Sequence, residues 1–340
     1  MSHLTGGDEW GCHRVLEPKG VLPQTAQKLD ATLPPFDNEI VVNVEALQID
    51  SASFRQLQSM GRSRIGENIL KIVQVRGKME NPVTGSGGVF LGSVDSIGNN
   101  HPARDRFRIG DKVVSLVSLS LTPLHLERVI SVDEKKERVT VSGHAILFAS
   151  GLLEKRPADI PEGIFLAALD VCGAPAQLAR LIHACNTVLI IGLGKAGRAM
   201  AVQSAESGAK VFGVDASEEA VSWCAKNVDG KFARIEAGDP VSLTHWVRDV
   251  TEGRLVDLSV QATNADGLEM SAILPVKNGG TALFFGMATS FQRATLGAEG
   301  VGKDVTLLMG NGYVPGHASL MLGLLKRHRP LWNWFEEKFG

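Results

Sequence analysis

Thr187-Val-Leu-Ile-Ile-Gly192-Leu-Gly194-Lys195-Ala196-Gly197-Arg-Ala-Met200 decides how the second half of this chain folds. The aliphatic, β-branched run before Gly192 reads as a buried strand. It runs straight into G-x-G-x-x-G, and an Ala-rich segment that reads as a helix leaves the motif and stops at Gly208. Each glycine answers a mechanical demand. Gly192 permits the tight turn, Gly194 lets a pyrophosphate approach the backbone, and Gly197 lets helix pack closely on strand. The helix start at Lys195 and Ala196 offers N–H groups and a partial positive charge to phosphate. The next strand, 210–214, is followed by Asp215, 18 residues beyond Gly197. A carboxylate there accepts hydrogen bonds from the adenosine ribose hydroxyls of a dinucleotide. It also repels a 2′-phosphate, and Ala216 and Ser217 bring no cation to offset it, so NAD is expected over NADP.

Outward from this core, the alternation continues with a helix over 218–227 and strands over 255–260, 281–285 and 305–309. Alternation of this kind predicts an α/β doubly wound parallel sheet with right-handed crossovers. Ligands of such sheets lie beyond the strand ends. Thr263 and Asn264, Gly286, and Asn311 stand at those places and are expected to complete the cofactor pocket, ordinary turns being the competing reading. Residues 1–150 differ. Short runs at 39–45, 112–117, 126–132 and 138–141 are separated by Gly, Asn, Asp and Pro clusters and predict a β-rich domain. Ile65, Ile69, Ile72 and Val73 predict one helix there, over 66–74, and a second is expected after Pro175. The expected division is 1–165 and 166–319, with 320–340 returning to the first domain and Trp332 and Trp334 packing at a domain or subunit contact.

The 340 residues are 44% hydrophobic and 21% charged with net charge −2, an ordinary globular balance that gives no electrostatic case for nucleic acid or an anionic membrane. The N-terminus lacks a signal-peptide pattern, and no apolar stretch approaches the roughly 18 residues of a membrane span. Cys12, Cys172, Cys185 and Cys224 form no C-x-x-C pair and are too sparse for a disulfide framework, so a reducing cytoplasm is expected. The apolar run 305–309 would need covering as a sheet edge, which predicts a homodimer.

The glycine-rich stretch Asn81-Pro-Val-Thr-Gly-Ser-Gly-Gly-Val-Phe-Leu-Gly-Ser-Val-Asp-Ser-Ile-Gly98 precedes Phe107-Arg-Ile-Gly-Asp-Lys-Val113. Together with the fingerprint, this order resembles the medium-chain dehydrogenase/reductase superfamily, which implies a GroES-like β-domain before a Rossmann domain. Cys12-His13 through Pro23, Ile49-Asp-Ser-Ala-Ser-Phe54 and Gly77 through Gly88 resemble, more narrowly, the L-erythro-3,5-diaminohexanoate dehydrogenase family. That resemblance implies oxidative deamination of a small zwitterionic diamino acid, L-erythro-3,5-diaminohexanoate, to 5-amino-3-oxohexanoate and ammonia. It further implies a nicotinamide cofactor and a place in anaerobic lysine fermentation. Zinc-dependent members of the superfamily carry a Cys where this chain has Asp50 and a His-Glu pair where it has Ser86-Gly87. Only Cys172 remains of the catalytic set, and the four-Cys structural lobe is absent, so no metal is expected.

An amine needs no Lewis acid. Its neutral lone pair expels hydride and leaves an iminium, to which water adds before ammonia departs. The protein must bind a zwitterion, remove a proton from one ammonium and activate water. Candidate groups are Asp50, Ser51 and Ser53; Lys78, Glu80, Asn81, Thr84 and Ser86; and Asp170 and Cys172. Asp50 and Ser86 stand where superfamily members do chemistry, and Lys78 is expected to pair with the substrate carboxylate. Blander roles compete: Asp50 as a cap, Lys78 and Glu80 as surface charges, Cys172 as a small buried residue. His13, His125 and His144 are available as bases, with no spacing to single one out. Two further readings stand beside the deaminase. One is a zinc-free quinone or enoyl reductase of the same superfamily, against which Asp215 and the polar Asp50/Ser86 region argue. The other is a non-catalytic dinucleotide-binding protein.

Overall fold

The structure, a computed structural model, describes residues 2–183 and 186–340, so Cys185 lies outside the described residues. Two compact units divide it: the chain through Asp170 together with Phe335–Gly340, and Val171–Trp334.

The first unit opens with a ribbon of β1 (Val15–Glu17) and β2 (Lys28–Leu29). Its main strands are β3 (Ile40–Gln48), β4 (Val89–Ile97), β5 (Lys112–Ser115), β6 (Leu124–Asp133), β7 (Arg138–Leu147) and β8 (Leu153–Lys155). They pair antiparallel in the order β6-β7-β3-β4-β5-β8. Central β3 pairs on both sides and is buried at seven of its nine positions. Between β3 and β4 run α1 (Ser51–Ser59) and α2 (Ile65–Arg76), and α3 (Glu162–Leu169) follows β8. The expected helix over 66–74 is α2, burying Ile65, Ile69 and Val73. Gly77 ends it at φ +63°, where a Cβ would stand 1.9 Å from the Leu29 carbonyl oxygen.

Several elements of this unit depart from expectation, α1 and β4 among them. Helix α1 was not foreseen, because Phe54 and Leu57 are its only large buried apolar residues and the rest of the segment is polar. Strand β4 was hidden by glycine-rich surroundings. Its own Gly92 is a packing requirement, since a Cβ there would lie 2.2 Å from the Asn43 carbonyl oxygen on β3.

The second unit contains β9 (Thr187–Ile191), β10 (Lys210–Asp215), β11 (Gly230–Arg234), β12 (Val256–Gln261), β13 (Val276–Phe284) and β14 (Val305–Met309). All pair parallel, in the order β11-β10-β9-β12-β13-β14. This is the doubly wound order, with its reversal between β9 and β12. Its helices are α4 (Gly173–Leu181), α5 (Lys195–Glu206), α6 (Glu218–Asn227), α7 (Pro240–Val250), α8 (Glu269–Ile273), α9 (Phe291–Gly300) and α10 (His317–Arg327). The division between units falls within the last helix, α11 (Arg329–Phe339), after Trp334. The helix expected after Pro175 starts earlier, at Gly173. Pro175 sits in its first turn, where the missing N–H had no intrahelical partner to lose. Trp334 packs 4.3 Å over the guanidinium of buried Arg198 on α5. Among the described residues, no single helix is long and apolar enough to cross a membrane.

Candidate active site

The fingerprint glycines of the second unit meet their mechanical demands. Gly192 adopts φ +95°, and a Cβ there would press on Thr263 at 3.1 Å. A Cβ on Gly197 would fall 1.9 Å from the Gly192 carbonyl oxygen, so helix and turn touch backbone to backbone. Gly194 faces open space and stands at the N-cap of α5 with no side chain capping the helix. Lys195 and Ala196 are the first two residues of that helix. Asp215 is fixed at the rim: one carboxylate oxygen accepts the Leu193 N–H at 2.6 Å, the other the Ser217 N–H at 2.8 Å. A fixed carboxylate, an uncapped helix start and an open glycine together fit a dinucleotide's ribose and pyrophosphate.

Side chains stitch the neighbouring loops together. Buried Gln261 donates to the Thr263 carbonyl at 2.5 Å and accepts the Gly286 N–H at 2.8 Å. A Cβ on Gly286 would stand 2.2 Å from the Thr263 carbonyl oxygen. Asn264 accepts the Met287 N–H at 3.0 Å. Asn311 accepts from Gln177 and from the Tyr313 N–H. Cys172 is buried just before α4, where Gly173 abuts the Gly312 carbonyl.

In the first unit, Asp50 is the N-cap of α1: Oδ1 accepts the Ser53 N–H at 2.9 Å. Its Oδ2 accepts the Ser86 hydroxyl at 2.8 Å. Ser53 Oγ lies 2.6 Å from Thr84 Oγ1 and 2.9 Å from Ser86 Oγ, and Thr84 and Ser86 are 3.1 Å apart. Asn81 holds this arrangement. Its Oδ1 accepts the Val83 and Thr84 N–H groups, and its amide donates to Gln56 Oε1 and the Ser53 carbonyl, tying the turn to α1. Capping and clustering with hydroxyls are thus properties of one Asp50 carboxylate. Ser51 turns away to Glu137.

The remaining charged candidates do not join the cluster. Lys78 has no exposed surface. It pairs with Glu80 and donates to the Pro23 carbonyl at 3.4 Å, and Glu80 also pairs with Arg76. The expected role of Lys78 toward a substrate carboxylate is corrected accordingly: a charge with no exposure is compensated from within the protein. His13 bonds Asp8 at 2.9 Å and Glu39 at 2.8 Å. Burial opposes its charge, but its hydrogen bonds to the Glu39 and Asp8 carboxylates outweigh it and raise the imidazole pKa. His144 donates to the Ala31 carbonyl, with its pKa lowered by burial, and packs 5.2 Å from His125. None of the three bonds Asp50 or Ser86. Among the described residues, no three His, Cys, Asp or Glu side chains group as metal ligands.

Residues 13–157 match the family model described as the L-erythro-3,5-diaminohexanoate dehydrogenase N-terminal domain. The chain is 43% identical to the L-erythro-3,5-diaminohexanoate dehydrogenase of Fusobacterium nucleatum, across 97% of this chain and 98% of that relative. The chain belongs to the L-erythro-3,5-diaminohexanoate dehydrogenase family. Its likeness to the Acetoanaerobium sticklandii member is 42%, over 98% and 99% of the two chains.

Solved structures share the family member's fold. The CurK enoyl reductase superposes with a TM-score of 0.58 at 15% identity, covering 96% of this chain and 88% of that one. An alcohol dehydrogenase from Thermotoga maritima gives 0.57 at 15%, covering 89% and 85%. A mycobacterial protein in complex with NADPH gives 0.56 at 17%, covering 93% and 86%. The shared architecture is an antiparallel GroES-like sheet followed by a parallel Rossmann sheet.

One residue of the dehydrogenase escaped the sequence reading. Arg234 ends β11 directly beside Asp215 on β10, and its Nε donates to the Ala216 carbonyl at 3.0 Å. A cation therefore stands next to the acidic residue that was expected to act alone. Its sequence signal was only a basic residue closing a short run, since the strand pairing that puts 234 beside 215 is not local.

Proposed function

We propose that this chain oxidatively deaminates L-erythro-3,5-diaminohexanoate to 5-amino-3-oxohexanoate and ammonia in the course of anaerobic lysine fermentation. One observation carries the reading: 43% identity to a dehydrogenase of that name, spread over 97% of the chain, so both units fall inside the relation. The Asp50–Ser86 cluster supports it, because a carboxylate set among hydroxyls suits an ammonium group.

The residues divide the work by unit. In the second, the Gly192–Gly197 turn and the start of α5 hold the pyrophosphate, and Asp215 accepts the ribose hydroxyls. Backbone groups of the loops carrying Thr263, Asn264, Gly286 and Asn311 orient the nicotinamide carboxamide, and Gln261 keeps those loops in place. When bound, the nicotinamide supplies the hydride acceptor. Asp215 makes NAD the preferred form, with Arg234 moderating the preference. In the first unit, Asp50 attracts the ammonium and takes its proton, which exposes the lone pair that oxidation of the adjoining carbon requires. Ser86 fixes the Asp50 carboxylate for this task. Water adds to the iminium carbon and loses a proton to solvent, and the proton held on Asp50 returns to the nitrogen that leaves as ammonia. Lys78 and Glu80 support the segment leading into the 81–86 turn, and Cys172 packs against the opening of α4.

The working form is read as a homodimer in the cytoplasm, joined through β14. The test of the activity is direct. Purified protein with NAD should reduce it on addition of L-erythro-3,5-diaminohexanoate and release one ammonia per NADH. Overnight dialysis against EDTA should leave the rate unchanged. Reduction without ammonia release overturns the deamination, and loss of the rate after chelation overturns the metal-free chemistry.

A further inference from the structure

We propose that Thr84, Ser53 and Ser86 form a hydroxyl relay to Asp50, with Thr84 as the catalytic group that receives the proton from the substrate ammonium. The relay rests on the deamination reading above and names the atoms that perform its proton step.

Counting donors sets the direction. An ionised carboxylate only accepts, and each hydroxyl has one proton and two acceptor sites. Asp50 Oδ1 is occupied by the Ser53 N–H at 2.9 Å, and Oδ2 takes the Ser86 proton at 2.8 Å. Two protons, those of Ser53 and Thr84, then remain for three hydroxyl contacts of 2.6, 2.9 and 3.1 Å. The assignment that uses the shorter contacts runs from Thr84 to Ser53, from Ser53 to Ser86, and from Ser86 to Asp50. Only the 3.1 Å contact is left without a proton. The other acceptor near Ser53, the Ser86 carbonyl, is at 3.5 Å and competes poorly. Ser53 has no exposed surface, whereas Thr84, Ser86 and Asp50 are half-buried; Thr84 is the outer end of the chain because it is the one hydroxyl to which no other hydroxyl donates. With its own proton committed inward, Thr84 Oγ1 presents a lone pair outward. Among the described residues its one other donor, the Ser86 N–H, approaches only to 3.4 Å. The relay therefore ends on an acceptor, and an ammonium is a donor.

The step balances. An ammonium N–H bond breaks and its proton joins Thr84 Oγ1. The Thr84 proton moves to Ser53, that of Ser53 to Ser86, and that of Ser86 to Asp50 Oδ2. A neutral amine and a protonated Asp50 result, with each hydroxyl keeping one proton and the bond directions reversed. Reversed, the chain ends on a donor at Thr84, which returns the proton to the nitrogen that leaves as ammonia.

The test compares Thr84→Val, Thr84→Ser, Asp50→Asn and the double variant Thr84→Val/Asp50→Asn as full chains, with NAD and L-erythro-3,5-diaminohexanoate, in water and deuterium oxide. Asn caps helices as well as Asp, so Asp50→Asn keeps α1 in place. Thr84→Val should lower kcat about tenfold to a hundredfold, with KM and melting temperature near wild type. Thr84→Ser should recover most of the loss. The curved proton inventory of wild type should become linear in Thr84→Val. The double variant should be no slower than Asp50→Asn, because groups acting in one chain are not additive. Active wild type with an undiminished Thr84→Val, or with multiplying losses in the double variant, overturns the relay alone. Wild type inactive on the diamino acid overturns the deamination reading and the relay with it.

Discussion

His13 shows what a single residue contributes when both ring nitrogens are engaged by acids. Asp8 and Glu39 bracket it, and Glu39 is itself buried and paired with buried Arg14 at 2.7 Å. Arg14 also lies within 3.8 Å of Asp30, so the groups facing the imidazole are two carboxylates, backed by one guanidinium and a further acid. Its pKa is raised in the folded chain, with burial opposing and the Glu39 and Asp8 bonds prevailing. The stability it adds is therefore complete below the unfolded value of about 6.5 and is lost as pH rises through the higher folded value. Melting temperature followed from pH of about 6 to about 9 should fall in wild type and fall less in His13→Gln. Parallel curves for the two proteins would remove His13 as the source. None of this was legible in the sequence, where His13 offered itself as a base with no partner in view.

At the scale of elements, the register of β10 against β11 sets which charges stand at the strand ends proposed to hold the cofactor's ribose. It places Arg234 beside Asp215. The carboxylate disfavours a 2′-phosphate and the guanidinium favours one, so the two compete across a single strand spacing. Wild type should use NAD better than NADP. Arg234→Ala should weaken NADP about tenfold while leaving NAD within about twofold, and Asp215→Ser with Ala216→Arg should reverse the preference. The measurement is kcat/KM for each cofactor. Equal losses with both cofactors in Arg234→Ala would show a structural role at the strand end instead. Asp215 could be found by counting from the glycines, but the strand pairing that supplies Arg234 could not.

For the whole molecule, β14 is the open edge of the parallel sheet, pairing only with β13 among the described residues. Leu308 and Met309 on it are substantially exposed, as are Phe291 and Leu296 on α9. An edge carrying free backbone groups and apolar side chains invites a second strand, and antiparallel pairing with its own copy closes the assembly. Light scattering at micromolar concentration should return twice the 36.4 kDa chain mass. Leu308→Lys with Met309→Lys should shift it to one chain. A wild-type monomer under those conditions would contradict the edge as the interface.

The sequence by itself determined the strand, glycine turn and helix at 187–207, the acidic residue after the next strand, and the β-rich character of what precedes them. These are local properties: side-chain period, the φ that only glycine tolerates, and a fixed count from turn to strand end. Tertiary structure alone decided that Asp50, Ser53, Thr84 and Ser86 meet. Positions 50 and 86 lie just outside β3 and β4, whose antiparallel pairing of Gln48 with Val89 closes the two helices between them into a loop. It also decided that Lys78 faces inward to Glu80 and that Arg234 faces Asp215. Contacts made by strand register and loop closure depend on the whole chain being folded, so no window of sequence contains them.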